Sequence, residues 1–213
     1  MLNLYRIDEN YGRYMRFFDE KAPNINGDKN KRPFVGIVIS VGNCSYYAPL
    51  SSPKPKHLHM HDAIDFVRIQ DGKRGVINFN NMIPVTKNML IPIDIVQREG
   101  DDHSTRNYKN LIIDQRLWCN DHQHRLKRKA CTLYERYKTR RLHSKVMKRC
   151  CNFELLEKAM KIYDPNYDTD QIRVLKKAIM QNMKLSGIAD PDIPAVQMEK
   201  ILNTDRTGEK EKM

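Results

Sequence analysis

Residues 32–41 read RPFVGIVISV and residues 46–50 read YYAPL, with Gly42-Asn43 between them. The first run is β-branched and apolar along most of its length, which is the pattern of a central strand. Gly42-Asn43 supplies a turn and the second run supplies the returning strand, so the pair reads as a hairpin. Residues 65–70 and 75–79 repeat the arrangement across Asp71-Gly72. Residues 82–85 and 89–96 add short apolar strands interrupted by Pro84 and Pro92, and residues 2–7 alternate loosely as one more. Asn10 is placed to cap a helix reaching about residue 20, with Tyr11, Tyr14, Met15 and Phe18 on one face. Residues 22–31, APNINGDKNK, form a polar loop. These features predict an α+β fold whose first part is a compact, bent antiparallel sheet or small barrel with one helix packed on it.

From about residue 103 the spacing turns helical. A long helix is expected over 108–141, broken near Asn120, and another over 153–163 with Asn152 as its cap and Asp164-Pro165 as its stop. Thr169 is read as the cap of a third helix carrying Ile172, Leu175, Ile179 and Met183 and ending at Gly187. ADPDIP, residues 189–194, is read as a linker before a short helix at 194–202. The expected organisation is one domain over 1–165 (β-rich 1–100, helical 103–165), a helical extension over 166–205 and a disordered tail over 206–213.

The chain has 213 residues and is 40% hydrophobic, enough for a sizeable core. No run approaches the roughly 18 apolar residues of a membrane span, and residues 1–10 lack the pattern of a signal peptide. Its five cysteines are odd in number and lack CxxC spacing, which argues against a disulfide framework or a zinc ribbon. A reduced, cytoplasmic protein is expected. The formal charge is +12 at pH 7, and residues 121–150 hold eleven Lys and Arg against Asp121 and Glu135. So skewed a run neutralises phosphates, and nucleic acid is the expected partner. A solvated helix face is the bland alternative, and no strong apolar face accompanies the charges to suggest a membrane surface.

Residues 46–57 read YYAPLSSPKPKH. Ser51 and Ser52 are adjacent hydroxyls on a loop stiffened by prolines, and Lys54 and Lys56 follow at once. Hydroxyls beside ammonium groups suit a phosphodiester, where charge develops on a pentacovalent phosphorus. His57, His59 and His61 would share a face in a strand, but Asp62 would point the other way, so metal binding is not expected and no cofactor is implied. Tyr46, Tyr47, Phe79 and Trp118 read as core, and Cys150 and Cys151 as packing residues.

FDEKAPN (residues 18–24), RPFVGIVI (32–39), YYAPLSSPKPKH (46–57), GVINFNNMIPV (75–85) and CNFELLE (151–157) occur in that order. Together they resemble the ToxN/AbiQ family, the endoribonuclease toxins of type III toxin–antitoxin systems, from the N-terminus to about residue 163. The resemblance implies a MazF/Kid-like barrel core decorated by helices. It implies metal-independent RNA cleavage by the 2′-hydroxyl, leaving a 2′,3′-cyclic phosphate and a 5′-hydroxyl. It also implies a small RNA antitoxin, a pseudoknot cut from a tandem-repeat transcript, closed toxin–RNA assemblies, cellular or phage RNA as substrate, and abortive infection as the role.

Residue by residue, the family's catalytic loop falls on Ser51, Ser52 and Lys54. Ser52 would hold or polarise the scissile phosphate, Lys54 would stabilise the developing charge, and Ser51 would position the phosphate or the 2′-hydroxyl. Arg32 stands where some relatives have lysine, and keeps the charge while being a poor proton donor. His57 matches a histidine of the family motif and is a secondary candidate. Asp28 and Lys56 stand where relatives have aromatics, so base stacking is not expected at those two points. Lys31 and Lys56 are candidates for RNA contact, and Arg125, Lys127, Arg128, Lys129, Arg136, Lys138, Arg140 and Arg141 are the candidates for the antitoxin groove, about half of these eight facing one RNA. The alternative reading is a non-catalytic protein that clamps structured RNA, and a third is a metal nuclease built on the three histidines.

Overall fold

A computed structural model describes residues 1–25 and 32–185 of the chain. Its strands are β1 (Asn3–Ile7), β2 (Phe34–Val41), β3 (Cys44–Ser51), β4 (Phe66–Arg68), β5 (Val76–Asn78), β6 (Ile83–Pro84) and β7 (Leu90–Pro92). They form one antiparallel sheet in the order β4-β5-β3-β2-β1-β7, with β6 also on β3. The hairpin of β2 and β3 lies at its centre, joined across Gly42 in a left-handed conformation. β3 serves two neighbours on its far side. Tyr46 and Tyr47 pair with β6, while Leu50 and Ser51 pair with β5. β2 bulges between Gly36 and Ile39, which bends the sheet. A Cβ at Gly36 would lie 1.9 Å from the Tyr47 ring, so the bend is packed against that aromatic.

The sheet is open, which corrects the barrel expectation. β4 and β7 hold its two edges, and apart from a single bridge of Ala63 to Phe66 neither pairs on its outer side among the described residues. Each is three residues long. Such strands offer few ladder hydrogen bonds for closure, and helices cover the sheet instead.

The helices are α1 (Glu9–Phe18), α2 (Pro55–His59), α3 (His103–Asp121), α4 (Gln123–Lys138), α5 (Ser144–Arg149), α6 (Phe153–Lys161) and α7 (Thr169–Leu185). The expected long helix is two helices that break at His122, whose ring stacks on Trp118. Caps differ from the expectation at two places. Asp8, not Asn10, accepts the Tyr11 N–H, and Asp168, not Thr169, accepts the Gln171 N–H. Asn152 caps α6 through the Leu155 N–H, as its position suggests. α2 and α5 stand where no helix was expected. Pro55 in the first turn of α2 is compatible with a helix start.

One hydrophobic cluster joins the sheet to α1, α3, α4, α6 and α7. Phe34, Tyr11, Tyr46 and Phe153 are among its largest buried side chains, and truncating an aromatic of this kind costs about 3–5 kcal/mol. Glu157 ties the layers: its Oε1 accepts from Tyr46 on β3 at 2.5 Å and from Tyr134 on α4 at 2.6 Å. Leu175 and Ile179 of α7 belong to the same cluster, and Lys176 donates to the Phe17 carbonyl at 2.7 Å. Asp28, Lys31, Gly187, the 189–194 linker, the helix at 194–202 and the tail lie outside the described residues.

Candidate active site and RNA interface

Ser51 is the last residue of β3, and residues 52–54 run to the start of α2. Ser51 is half-buried, while Ser52, Lys54 and Lys56 are exposed. The Ser51 hydroxyl is held from the neighbouring strand, where Asn78 Nδ2 donates to its Oγ at 3.0 Å. That bond uses an oxygen lone pair and leaves the hydroxyl proton available to an anion. Gly75 fixes the backbone beneath. Its φ is +91°, and a Cβ there would lie 1.9 Å from the Ser51 carbonyl oxygen and 3.2 Å from the Ser52 carbonyl carbon. Only glycine lets the two chains approach so closely.

Arg32 reaches the same place from β2. The Leu50 N–H donates to the Pro33 carbonyl at 2.9 Å, and the register Phe34↔Pro49, carried on, sets Arg32 opposite Ser51. Arg32 is half-buried, and burial, with Arg16 nearby, pulls its guanidinium pKa below the ordinary value. Crowded, partly desolvated cations of this kind are stabilised by an anion. The structure thus brings Ser51, Arg32 and the newly found Asn78 together, with Ser52 and Lys54 on the adjoining segment.

His57 is placed otherwise. It is 3% exposed, and its carbonyl packs on Gly72, where a Cβ would lie 2.3 Å from the oxygen. Burial first, then Lys56 and Lys54, lower the imidazole pKa from 6.5, so the ring is neutral at neutral pH. Its Nδ1 has no hydrogen-bond partner. The three histidines do not share a face. Residues 57 and 59 lie on helix α2, and His59 and His61 are exposed. No group of three or more His, Cys, Asp or Glu among the described residues is arranged to hold a metal ion.

The basic residues divide by helical angle. On α4, Leu126, Ala130, Leu133, Tyr134 and Tyr137 form the buried stripe. At about 100° per residue, Arg125, Lys129 and Arg136 lie on one shoulder, Lys127 and Lys138 on the other, with Arg128 further out. The first shoulder borders the segment that follows α2. Arg125 pairs with Asp62, while Lys129, its pKa lowered by burial, lies near Asp62 and Asp65. Lys138 and Arg140 share Glu154, at 3.1 and 3.6 Å, and Arg140 also lies over the Tyr137 ring. Lys127, Arg128, Arg136 and Arg141 are exposed and make no ion pair among the described residues.

A recess of about 450 Å³ lined by Arg6, Tyr108 and Lys109, among others, lies towards the β7 edge, away from Ser51. Its Lys109 ammonium is already satisfied by Asp101 at 2.7 Å and the Val96 carbonyl at 2.6 Å.

Residues 3–161 match the family model for the toxin ToxN of type III toxin–antitoxin systems. This chain belongs to the ToxN family. An endoribonuclease ToxN from Bacillus thuringiensis subsp. kurstaki is 27% identical over 178 residues, covering 82% of this chain and 89% of the relative. A structure solved in work on bacterial type III toxin–antitoxin systems and selective toxin inhibition by a non-coding RNA pseudoknot is 25% identical, with a TM-score of 0.62 over 75% of this chain and 96% of that one. AbiQ, a lactococcal anti-phage endoribonuclease of a type III toxin–antitoxin system, superposes with a TM-score of 0.65 at 21% identity over 76% of this chain and 98% of its own. The ToxN match takes in β1 to α6 in full and stops before α7.

Proposed function

We propose that this chain is the endoribonuclease toxin of a type III toxin–antitoxin system, acting on cellular or phage RNA in the cytoplasm and serving in abortive infection. The observation that carries the reading is the hydroxyl site itself, with Ser51 oriented by Asn78 and backed by Gly75 at the point where Arg32 and the Ser52–Lys54 segment meet. Family membership supports it, as do the endoribonuclease names of its relatives.

In this reading the RNA 2′-oxygen attacks the adjacent phosphorus, the bond to the 5′-oxygen breaks, and the products are a 2′,3′-cyclic phosphate and a 5′-hydroxyl. The 2′-hydroxyl gives up a proton and the departing 5′-oxygen takes one. Ser52 holds and polarises the phosphate, Lys54 and Arg32 stabilise the developing negative charge, and Ser51 sets the phosphate in line. Buried, neutral His57 anchors α2 and is a positioning residue. The inhibitor is a small RNA pseudoknot processed from a repeat transcript, seated across the exposed cations of α4 with Lys56 at its edge, and the resting form is a closed toxin–RNA assembly. Residues 1–165 are the catalytic unit, to which 166–205 are an extension.

The test is to incubate purified wild type and Ser52→Ala with RNA in excess EDTA and map the ends. Cleavage by wild type alone, with cyclic-phosphate ends, is the expected result. Tight RNA binding without cleavage would instead establish the non-catalytic clamp, and cleavage abolished by EDTA would establish a metal nuclease.

A further inference from the structure

The strands beside Ser51 carry an apolar surface that the core does not use. In register, Phe66 faces Asn78, Val67 faces Ile77 and Arg68 faces Val76, while Leu50 faces Ile77 and Ser51 faces Val76. Alternation along the strands therefore sorts these side chains onto two faces. Leu50, Val67 and Ile77 point into the hydrophobic cluster and are essentially fully buried. Phe66, Arg68, Val76, Asn78 and Ser51 lie on the opposite face, the one that presents the hydroxyl. Val76 is buried without belonging to the core cluster, and Phe66 is half-buried and likewise outside it. No aromatic ring among the described residues stacks on Phe66.

An aromatic left half-exposed at the rim of a cationic hydroxyl site has a natural occupant. Cross-strand geometry sets Val76 diagonal to Phe66, within reach of its ring. Ser51 is level with Arg68, so Phe66 lies two strands across and two residues along from it, about 12 Å between Cα positions. That span is within the reach of a nucleotide flanking the phosphate. The neighbours suit a nucleotide as well. Asn78, opposite Phe66, already holds Ser51. Arg68 is engaged by Asp62 and Asp71, so it stiffens the platform rather than competing for phosphate.

We infer that Phe66, backed by Val76, is the platform on which a base next to the scissile phosphate stacks while Ser51 and Ser52 hold that phosphate. This deepens the ribonuclease reading and rests on it. Every base has a π-face, so the platform sets position and favours larger purines without reading a hydrogen-bond pattern.

The cleavage site is first mapped with wild type on a defined RNA. 2-Aminopurine is then placed on either side of that site, with a 2′-O-methyl group blocking attack. Wild type, Phe66→Tyr and Phe66→Trp should quench the fluorophore at one of the two positions. Phe66→Leu, which keeps apolar volume, and Phe66→Ala should lose the quenching, with KM for the unmodified RNA raised about 10-fold or more and kcat little changed. Thermal melting separates this from a structural role, since Phe66→Leu should melt close to wild type. Unchanged quenching and KM in Phe66→Leu would overturn the inference while leaving the ribonuclease standing. No cleavage by wild type would remove both.

Discussion

Gly75 shows how one missing side chain shapes the site. At φ +91° it lies against the carbonyls of Ser51 and Ser52, so any Cβ must push the serine peptide away. Gly75→Ala should therefore lower kcat by about 100-fold, the order of effect expected when reacting groups are displaced by about an ångström. The left-handed backbone alone adds about 1–2 kcal/mol of destabilisation. Steady-state cleavage and chemical denaturation read the two effects separately, and an active Gly75→Ala would show that the serine backbone is not fixed from below. His57 makes a prediction about pH. Its folded pKa is lowered from 6.5 by burial and by Lys56 and Lys54. The unfolded chain therefore takes up a proton first as pH falls, and between the lowered value and 6.5 it holds more protons than the folded chain. Stability contributed by the neutral ring is complete above 6.5 and is lost as pH falls toward the folded value. Melting temperature should drop below pH 6.5, and His57→Gln should flatten that drop even if it lowers the curve as a whole.

The helix α4 carries two kinds of cation. Arg136 is exposed with no acidic partner among the described residues, whereas Lys138 lies 3.1 Å from Glu154. A phosphate contact is available from the first at lower cost. Arg136→Gln should weaken RNA binding and lower the slope of log K against log salt by about 0.7–0.9. Lys138→Gln should change that slope much less. Titrations from low to moderate salt decide it, and equal slopes for the two variants would remove the distinction. The helix ends with Arg140 in the left-handed conformation, φ 58°, and the Arg141 N–H reaching the Arg136 carbonyl at 2.8 Å. That is the C-terminal turn in which glycine is usually found. Arg140→Gly should stabilise the fold by about 1 kcal/mol and, because Glu154 already holds this cation, weaken RNA binding less than Arg136→Gln, measured by denaturation and by titration of the same samples. A loss of stability would show that the contacts of Arg140 with Glu154 and Tyr137 outweigh its backbone strain.

At the scale of the whole molecule, what the sequence discloses stops where distant segments begin to meet. The β2–β3 hairpin was legible because an apolar β-branched run and Gly42-Asn43 are local signals, and the buried face of α1 was legible from its spacing. Asn78 carries no local signal within GVINFNNMIPV because its partner, Ser51, lies 27 residues away. The burial of His57 depends likewise on Gly72 arriving from a later turn, and barrel closure depends on two edge strands that do not pair. One such distant contact joins the site sheet to the helical half. Asp65, just before β4, is almost fully buried and receives both Nε and Nη2 of Arg149, at 2.5 and 3.1 Å, from the end of α5. The carboxylate raises the Arg149 pKa through that hydrogen bond, but the guanidinium is half exposed. Solvent therefore screens part of the attraction, while Asp65 itself would remain buried without a partner if Arg149 were removed. Arg149→Met should cost about 1–3 kcal/mol, chiefly as that orphaned charge. Asp65→Asn with Arg149→Met should recover part of the loss, with a coupling of about 1–2 kcal/mol in a double-mutant cycle. Because β4 also carries Phe66, the single variant Arg149→Met should loosen RNA cleavage along with the fold, and the double variant should restore both in parallel. Strict additivity in the cycle would mean that the Asp65–Arg149 pair does not hold the two halves together.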